Sequence, residues 1–271
     1  MSYLSIRYRI HLTVFAGLML VCASGCSTLK APSTPGETAR KSEFGYIPLD
    51  PLPVGTKPVN PKPEEILRAL PDETMRMAIG SVSGDGKITY GPASVGYSGN
   101  SYVVVVDYIK YNTKSLGLIK DPTQGPKLAG PNSLPETTVP VYVGVGLRLT
   151  ASLTVNEGNV NLGNLIAIGV AASAKKVSGT LVIQTLGISG EGVSSAIPIP
   201  TDINTTTIQN ALMSLGTIKG KIYAPTTSIS PRVVGIYKNF GDSFGTVNGV
   251  IGLLLSNPVT LDTTPGTANP L

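Results

Sequence analysis

Alternating apolar and non-apolar side chains over residues 139–155 form the strongest pattern in this 271-residue chain. One parity is entirely apolar, while the other carries small, polar, charged or aromatic residues, as is typical of a strand with one buried face. At about 3.3 Å per residue the segment would be roughly 50 Å long, well above the usual strand length. Because Gly144 and Gly146 lie within it, we expect a strongly curved sheet or a barrel stave.

The same reading predicts a mixture of strands and helices elsewhere. Residues 102–112 begin apolar on both faces, which is typical of a buried central strand, and further strands are predicted over 179–188, 217–224 and 232–240. Helices are predicted over 63–70, over 161–176 and over 204–216, the last with Asn204 as N-cap and Gly216 as its stop. Residues 247–255 are mostly apolar, and the spacing of their apolar side chains favours neither a helix nor a strand. We therefore expect a β-rich α+β domain, with a curved, mainly antiparallel sheet or a barrel or sandwich and one to three helices.

The composition supports a β-rich domain and argues against nucleic-acid binding. Charged residues make up only 14% of the chain, against about 25% in an average soluble protein, whereas glycine (31) and proline (22) are abundant. The formal net charge is +5. Two of the positive charges belong to Arg7 and Arg9, which lie in the first segment of the chain. The basic residues are not clustered, so the concentrated positive surface that nucleic acids require is missing.

The amino terminus has the order of regions found in a secretory signal. Residues 1–9 are basic without an acid, residues 10–21 are mostly apolar, and Ala23-Ser24-Gly25 supplies small residues directly before Cys26. This arrangement resembles the lipobox of bacterial lipoproteins. The resemblance implies cleavage before Cys26 and attachment of fatty acyl chains such as palmitate to that cysteine, which would anchor the protein firmly. In the family pattern, Ser27 in place of Asp favours the outer membrane.

These signals divide the chain into four parts. We predict a signal peptide over 1–25, a lipidated Cys26 with a Pro-rich tether over 26–63, one β-rich globular domain over 64–255, and a disordered tail over 256–271. Apolar residues within the tether are expected to dock onto the domain, namely Phe44, Tyr46, Ile47, Leu49 and Leu52.

The mature chain would lack the groups used in several common kinds of catalysis. The one histidine, His11, lies in the signal, and Cys22 and Cys26 are the two cysteines. Without imidazole or a free thiol, Ser-His-Asp and Cys-His nucleophiles and zinc sites of His and Cys are excluded. We predict no cofactor and no metal site.

Three other chemistries have motifs in the chain, and each also has a structural explanation. Ser173-Ala174-Lys175-Lys176 matches the S-x-x-K pattern, but a lysine pair that ends a helix explains it better. Ser83-Gly84-Asp85-Gly86-Lys87 resembles a calcium loop but fits a hairpin turn. Several carboxylates could take part in glycan hydrolysis, and most of them are expected to lie in solvated turns. The candidates are Asp107, Glu136, Glu157, Glu191, Asp202 and Asp242. Asp107 interrupts an apolar run, which favours a structural salt bridge or an edge position.

The leading hypothesis is a membrane-anchored envelope lipoprotein that acts as a non-enzymatic binding or structural module. Its expected partners are the membrane, through the lipid on Cys26, and another envelope protein or further copies of itself. One alternative is a lipoprotein that oligomerises into a ring or pore, because of the long alternating strand. The other is a periplasmic glycan hydrolase that uses carboxylates.

Overall fold

Among the residues that the structure describes, the alternating segment is the central strand of a nine-stranded sheet. In this computed structural model, which describes residues 44–91, 95–121, 125–130, 132–239 and 247–264, the strand extends over Thr137–Val155. The strands in the described part of the chain are β1 (Phe44–Pro53), β2 (Gly55–Lys57), β3 (Asp72–Val82), β4 (Ile88–Gly91), β5 (Val95–Tyr97), β6 (Ser101–Asp121), β7 (Gly125–Leu128), β8 (Thr137–Val155), β9 (Asn159–Asn161), β10 (Val177–Leu186), β11 (Ile188–Ser189), β12 (Thr201–Asp202), β13 (Ser228–Ile229), β14 (Arg232–Asn239) and β15 (Thr260–Asp262).

The helices divide into three longer ones and two short ones. Within the described residues they are α1 (Pro63–Arg68), α2 (Leu165–Ser173), α3 (Glu191–Ser194), α4 (Thr205–Lys221) and α5 (Val247–Ser256). With the large antiparallel sheet, they confirm the predicted β-rich α+β class, although these five helices exceed the one to three that were expected. None of them combines the length and the apolar character that crossing a bilayer would require.

Strand β8 has neighbours along its whole length. On one side it pairs with β6, from Ser101 opposite Thr154 to Leu118 opposite Thr137. On the other side β14 pairs with its first half and β10 with its second half. Strand β3 pairs with the other edge of β6, and β1 pairs with the other edge of β14; all these pairs are antiparallel. Because strands pair with both edges of β8 from Val141 onwards, its backbone hydrogen bonds there are satisfied within the sheet.

The two faces of β8 differ as the alternation predicts. Its apolar parity is buried in the main core, together with side chains from α2, α4 and α5 such as Ile168, Ile208 and Leu254; we call this the helical face. The opposite parity contributes to a smaller cluster that includes Tyr46, Ile109 and Tyr142; we call this the aromatic face. The ring of Tyr142 makes edge contacts with Tyr46 and Tyr111, at centroid distances of 5.6 and 5.1 Å.

The glycines of β8 are required by a close approach of two backbones. A Cβ added at Gly146 would overlap the carbonyl oxygen of Tyr108, and one added at Gly144 would overlap that of Lys110. Both oxygens belong to the neighbouring strand β6. Strands β6 and β8 can therefore approach this closely only where β8 carries no side chain.

The helix predicted over 204–216 is longer than expected. It begins after Asn204, whose side chain accepts a hydrogen bond from the Thr207 N–H, but it continues through Gly216 to Lys221. Ile218 and Ile222 are buried and extend the apolar stripe by another turn, and this burial outweighs the weak helix propensity of glycine. The strand predicted over 217–224 is consequently wrong.

Two predicted boundaries are also wrong. Residues 44–57, assigned to the tether, form β1 and β2, with β1 paired along β14. Tyr46, Ile47 and Leu49 are buried, which confirms that they dock onto the domain. In the predicted tail, Thr260–Asp262 form β15 and pair in parallel with β2. Residues 1–43, which include the predicted signal, Cys26 and the first part of the tether, and residues 265–271 lie outside the described residues.

Candidate functional site

The most distinctive polar group of the domain is a buried ion pair. Asp107 of β6 lies opposite Arg148 of β8 in the sheet register, and both side chains are buried on the aromatic face. The Arg148 Nε and Nη2 atoms donate to the two carboxylate oxygens of Asp107 at 2.8 and 2.6 Å. The Tyr46 hydroxyl donates to Asp107 Oδ2 at 2.5 Å.

The remaining donors of Arg148 bind backbone carbonyls of two further strands. Nη1 donates to the Leu49 carbonyl of β1 at 2.7 Å, and Nη2 donates to the Val234 carbonyl of β14 at 2.8 Å. The Tyr46–Asp107–Arg148 network thereby connects β1, β6, β8 and β14. Buried ions are tolerated when they are paired and hydrogen-bonded in this way.

The electrostatics fix the protonation states of Tyr46 and Arg148 near neutral pH. Burial and the charge of Asp107 raise the pKa of the Tyr46 hydroxyl well above its ordinary value. Burial alone would lower the pKa of Arg148, but the hydrogen bonds and charge of Asp107 raise it. Tyr46 therefore remains neutral and Arg148 remains charged. Because Asp107 is fully buried and bound to both, the arrangement is a structural ion pair, the first of the two interpretations that the sequence favoured.

The other predicted carboxylates do not join this group. Glu136 lies before β8, Glu157 lies in the turn after β8, Glu191 begins α3, and Asp202 ends β12; all four are exposed. Asp242 lies outside the described residues. No cluster of three or more metal-binding side chains occurs among the residues that the structure describes. The four described side chains fit the solvated turn acids that the sequence analysis favoured.

The Ser173 motif is used in helix packing. The Ser173 hydroxyl is 3.0 Å from Thr205 Oγ1 and accepts a hydrogen bond from the Thr205 N–H at 3.2 Å. Helix α2 ends at Ser173, and Lys175 has a left-handed backbone (φ 61°). Lys176 therefore does not follow Ser173 on the next turn of a helix, which is the placement that the S-x-x-K chemistry needs.

The Ser83–Lys87 segment is the hairpin turn between β3 and β4, as predicted. The Gly86 N–H donates to the Ser83 carbonyl at 2.8 Å, and Gly86 has a positive φ of 80°. Lys87 Nζ lies 2.6 Å from Asp85 Oδ2. Since the Asp85 side chain already pairs with Lys87 of the same turn, a calcium ion is not needed to explain this segment.

The described surface also carries a shallow groove of about 380 Å³ on β6, β8 and β10. Its polar lining consists largely of hydroxyl groups from Ser101, Ser152, Thr154 and Ser178, and Val103 is among its apolar side chains. A groove of this composition could accept a neutral hydroxylated ligand, although it brings no acid, base or nucleophile pair together.

Sequence reasoning singled out Asp107 but missed Arg148 and Tyr46. A signal for Arg148 was available, because it is the one charged residue in 139–155, just as Asp107 is the one charged residue in 102–109. Two isolated charges of opposite sign in two buried strands indicate pairing. Tyr46 carried no comparable signal, because it lies in a segment whose prolines indicate a tether.

Comparison with models of protein families, with curated proteins and with solved structures finds no match for this chain. Its fold and the Tyr46–Asp107–Arg148 network are therefore interpreted from its own residues.

Proposed function

We propose that this protein is a lipoprotein of the bacterial envelope, anchored through Cys26, whose β-rich domain is a non-enzymatic binding or structural module. The observation that carries the proposal is Ala23-Ser24-Gly25-Cys26 behind a basic and then an apolar segment. Lipid on Cys26 would hold the domain at a membrane surface. Ser27 in place of Asp points to the outer membrane.

The domain supports a non-enzymatic role. Its buried carboxylate, Asp107, is bound by Arg148 and Tyr46, so it is not available to a substrate. The four exposed carboxylates that the sequence singled out lie in separate segments of the fold, whereas glycoside hydrolysis needs two at a set separation. Binding of another envelope protein, or of further copies of the chain, requires none of these groups to react.

The two cysteines provide a matched test of the anchor. We expect Cys26→Ser to abolish the lipid and release the protein from membranes, whereas Cys22→Ser should leave both unchanged. The measurement is the intact mass of the membrane-extracted protein, supported by incorporation of labelled palmitate. A membrane-bound protein that still carries residues 1–25, or equal labelling of both variants, would contradict the anchor.

The non-enzymatic role is tested with the same purified protein. We expect no release of fragments from peptidoglycan or from envelope peptides. Hydrolysis that persists through purification and disappears on a single carboxylate or serine substitution would contradict this part of the proposal and leave the anchor intact.

A further inference from the structure

The register of the sheet shows which end of the domain receives the chain from Cys26. Phe44 begins β1 and pairs with Asn239 at the end of β14. Because Ile236 of β14 pairs with Val141, Asn239 lies farther along, towards Thr137, where β8 begins. We call this the Phe44 end of the sheet. The opposite end lies beyond Val155, where the Gly99 N–H binds the Val155 carbonyl next to β5; we call it the Tyr97 end.

A prominent apolar side chain projects from the loop at the Phe44 end. Leu134, in the loop just before β8, is 92% exposed. The loop is attached to the sheet, since the Ala129 N–H donates to the Gly117 carbonyl and the Glu136 N–H donates to the Leu118 carbonyl, each at 2.9 Å. An internal bond from the Ser133 N–H to the Gly130 carbonyl, at 3.0 Å, also helps to hold the loop in shape. Leu134 is thus presented to the surroundings by anchored backbone.

The length of chain between Cys26 and Phe44 limits how the domain can face a bilayer. Residues 27–43 would reach roughly 60 Å if fully extended. Strand β8, with 19 residues, is itself about 60 Å long at about 3.3 Å per residue. Bringing the Tyr97 end to the bilayer would therefore require most of the connecting chain to be stretched, at a large cost in conformational entropy. The Phe44 end can reach it at no such cost.

From these observations we infer that the Phe44 end is the membrane-facing surface and that Leu134 inserts into the lipid. The inference rests on the proposed lipid at Cys26. Once that lipid holds the domain at the bilayer, insertion of Leu134 is a local event at high effective concentration, and it favours the orientation in which the Phe44 end faces the lipid.

The absence of tryptophan from the chain allows a direct test with single-tryptophan reporters. The lipidated full-length protein carrying Leu134→Trp or Tyr97→Trp is placed in vesicles of phosphatidylethanolamine and phosphatidylglycerol, with and without brominated acyl chains. Tyr97 is a matched control because it is exposed (56%) but belongs to the opposite end. We expect blue-shifted emission and several-fold stronger bromine quenching for Leu134→Trp than for Tyr97→Trp.

A second variant and a mass measurement separate failure of the inference from failure of the proposed anchor. Ser133→Trp, in the same loop, replaces Leu134→Trp if that variant does not fold, and it should be quenched more than Tyr97→Trp. The intact mass shows whether Cys26 is lipidated. Lipidated protein with equal or no quenching at both ends overturns the inference and leaves the proposed anchor standing, whereas protein without lipid overturns the anchor itself.

Discussion

Asp107 is the one charged residue in 102–109 and Arg148 is the one in 139–155, and their pairing places two charges in the interior of the aromatic face. Removing one member would leave the other charge buried without a counter-ion, which typically costs about 3–5 kcal/mol of stability. The cost is large compared with the total stability of an ordinary domain, roughly 5–15 kcal/mol. We therefore assign the network a role in holding β1, β6, β8 and β14 in register.

The first prediction concerns this pair. Asp107→Asn and Arg148→Met should each lower the free energy of unfolding by about 3–5 kcal/mol, because each leaves an uncompensated buried charge. The double variant Asp107→Asn with Arg148→Met should lose less than the sum of its two single changes, since no lone charge remains. Urea unfolding followed by circular dichroism measures all of these variants.

The exposed pair of Glu73 and Lys219, at 2.6 Å, is the control. Its hydrogen bond from Lys219 lowers the pKa of Glu73, so its contribution is present at neutral pH and is lost as the pH falls below about 4.5. Because solvent screens this pair, Lys219→Met should cost under about 1 kcal/mol at neutral pH. If Asp107→Asn cost no more than Lys219→Met, the structural role assigned to the buried pair would be wrong.

At the scale of elements, glycine has opposite effects on stability in β8 and α4. Gly146 lies where the backbone of β6 leaves no room for a Cβ, whereas a Cβ at Gly216 would have open space around it. The first glycine is required by tertiary packing. The second contributes only conformational freedom to the unfolded chain and is unfavourable within a helix.

The second prediction follows from this contrast. Gly146→Ala should destabilise the protein by about 1–3 kcal/mol or more, because its methyl group displaces the backbone of a neighbouring strand. Gly216→Ala should stabilise it by about 0.5–1 kcal/mol through better helix propensity. The urea midpoints of the two variants should therefore move in opposite directions. Stabilisation by Gly146→Ala would show that β6 and β8 are farther apart than described.

At the scale of the whole molecule, β1 decides where the folded domain begins. It contributes the buried side chains of Tyr46, Ile47 and Leu49, and its Leu49 carbonyl receives a hydrogen bond from Arg148. Burial of one such large apolar side chain stabilises a domain by roughly 1.5–3 kcal/mol. The three together are comparable with the stability of an ordinary domain.

The third prediction compares two shortened chains. A chain that begins at Glu64, after the segment that was expected to be the tether, should fail to fold cooperatively. Without β1, strand β14 loses its neighbouring strand, and the Asp107–Arg148 pair loses its hydrogen bonds to β1. A chain that begins at Arg40 retains β1 and should show a single unfolding transition. Soluble expression and urea unfolding measure the difference. Cooperative folding of the chain from Glu64 would mean that β1 is dispensable.

The sequence by itself determined the features that depend on local patterns. The alternation in 139–155 predicted β8, the N-cap of Asn204 predicted the start of α4, and Asp85-Gly86 predicted the turn between β3 and β4. These follow from side-chain periodicity and from backbone preferences of individual residues, which act over a few positions. The composition likewise determined which catalytic groups are available.

Only the tertiary structure decided the features that join distant segments. The proline-rich residues 44–57 were expected to form a tether, but they pair with a strand almost two hundred positions later, and Gly216 remains inside a helix because Ile218 and Ile222 are buried beyond it. Tyr46, Asp107 and Arg148 meet because the sheet brings three separate strands together. Burial and long-range pairing are properties of the folded chain, and here they outweigh the local preferences of proline and glycine.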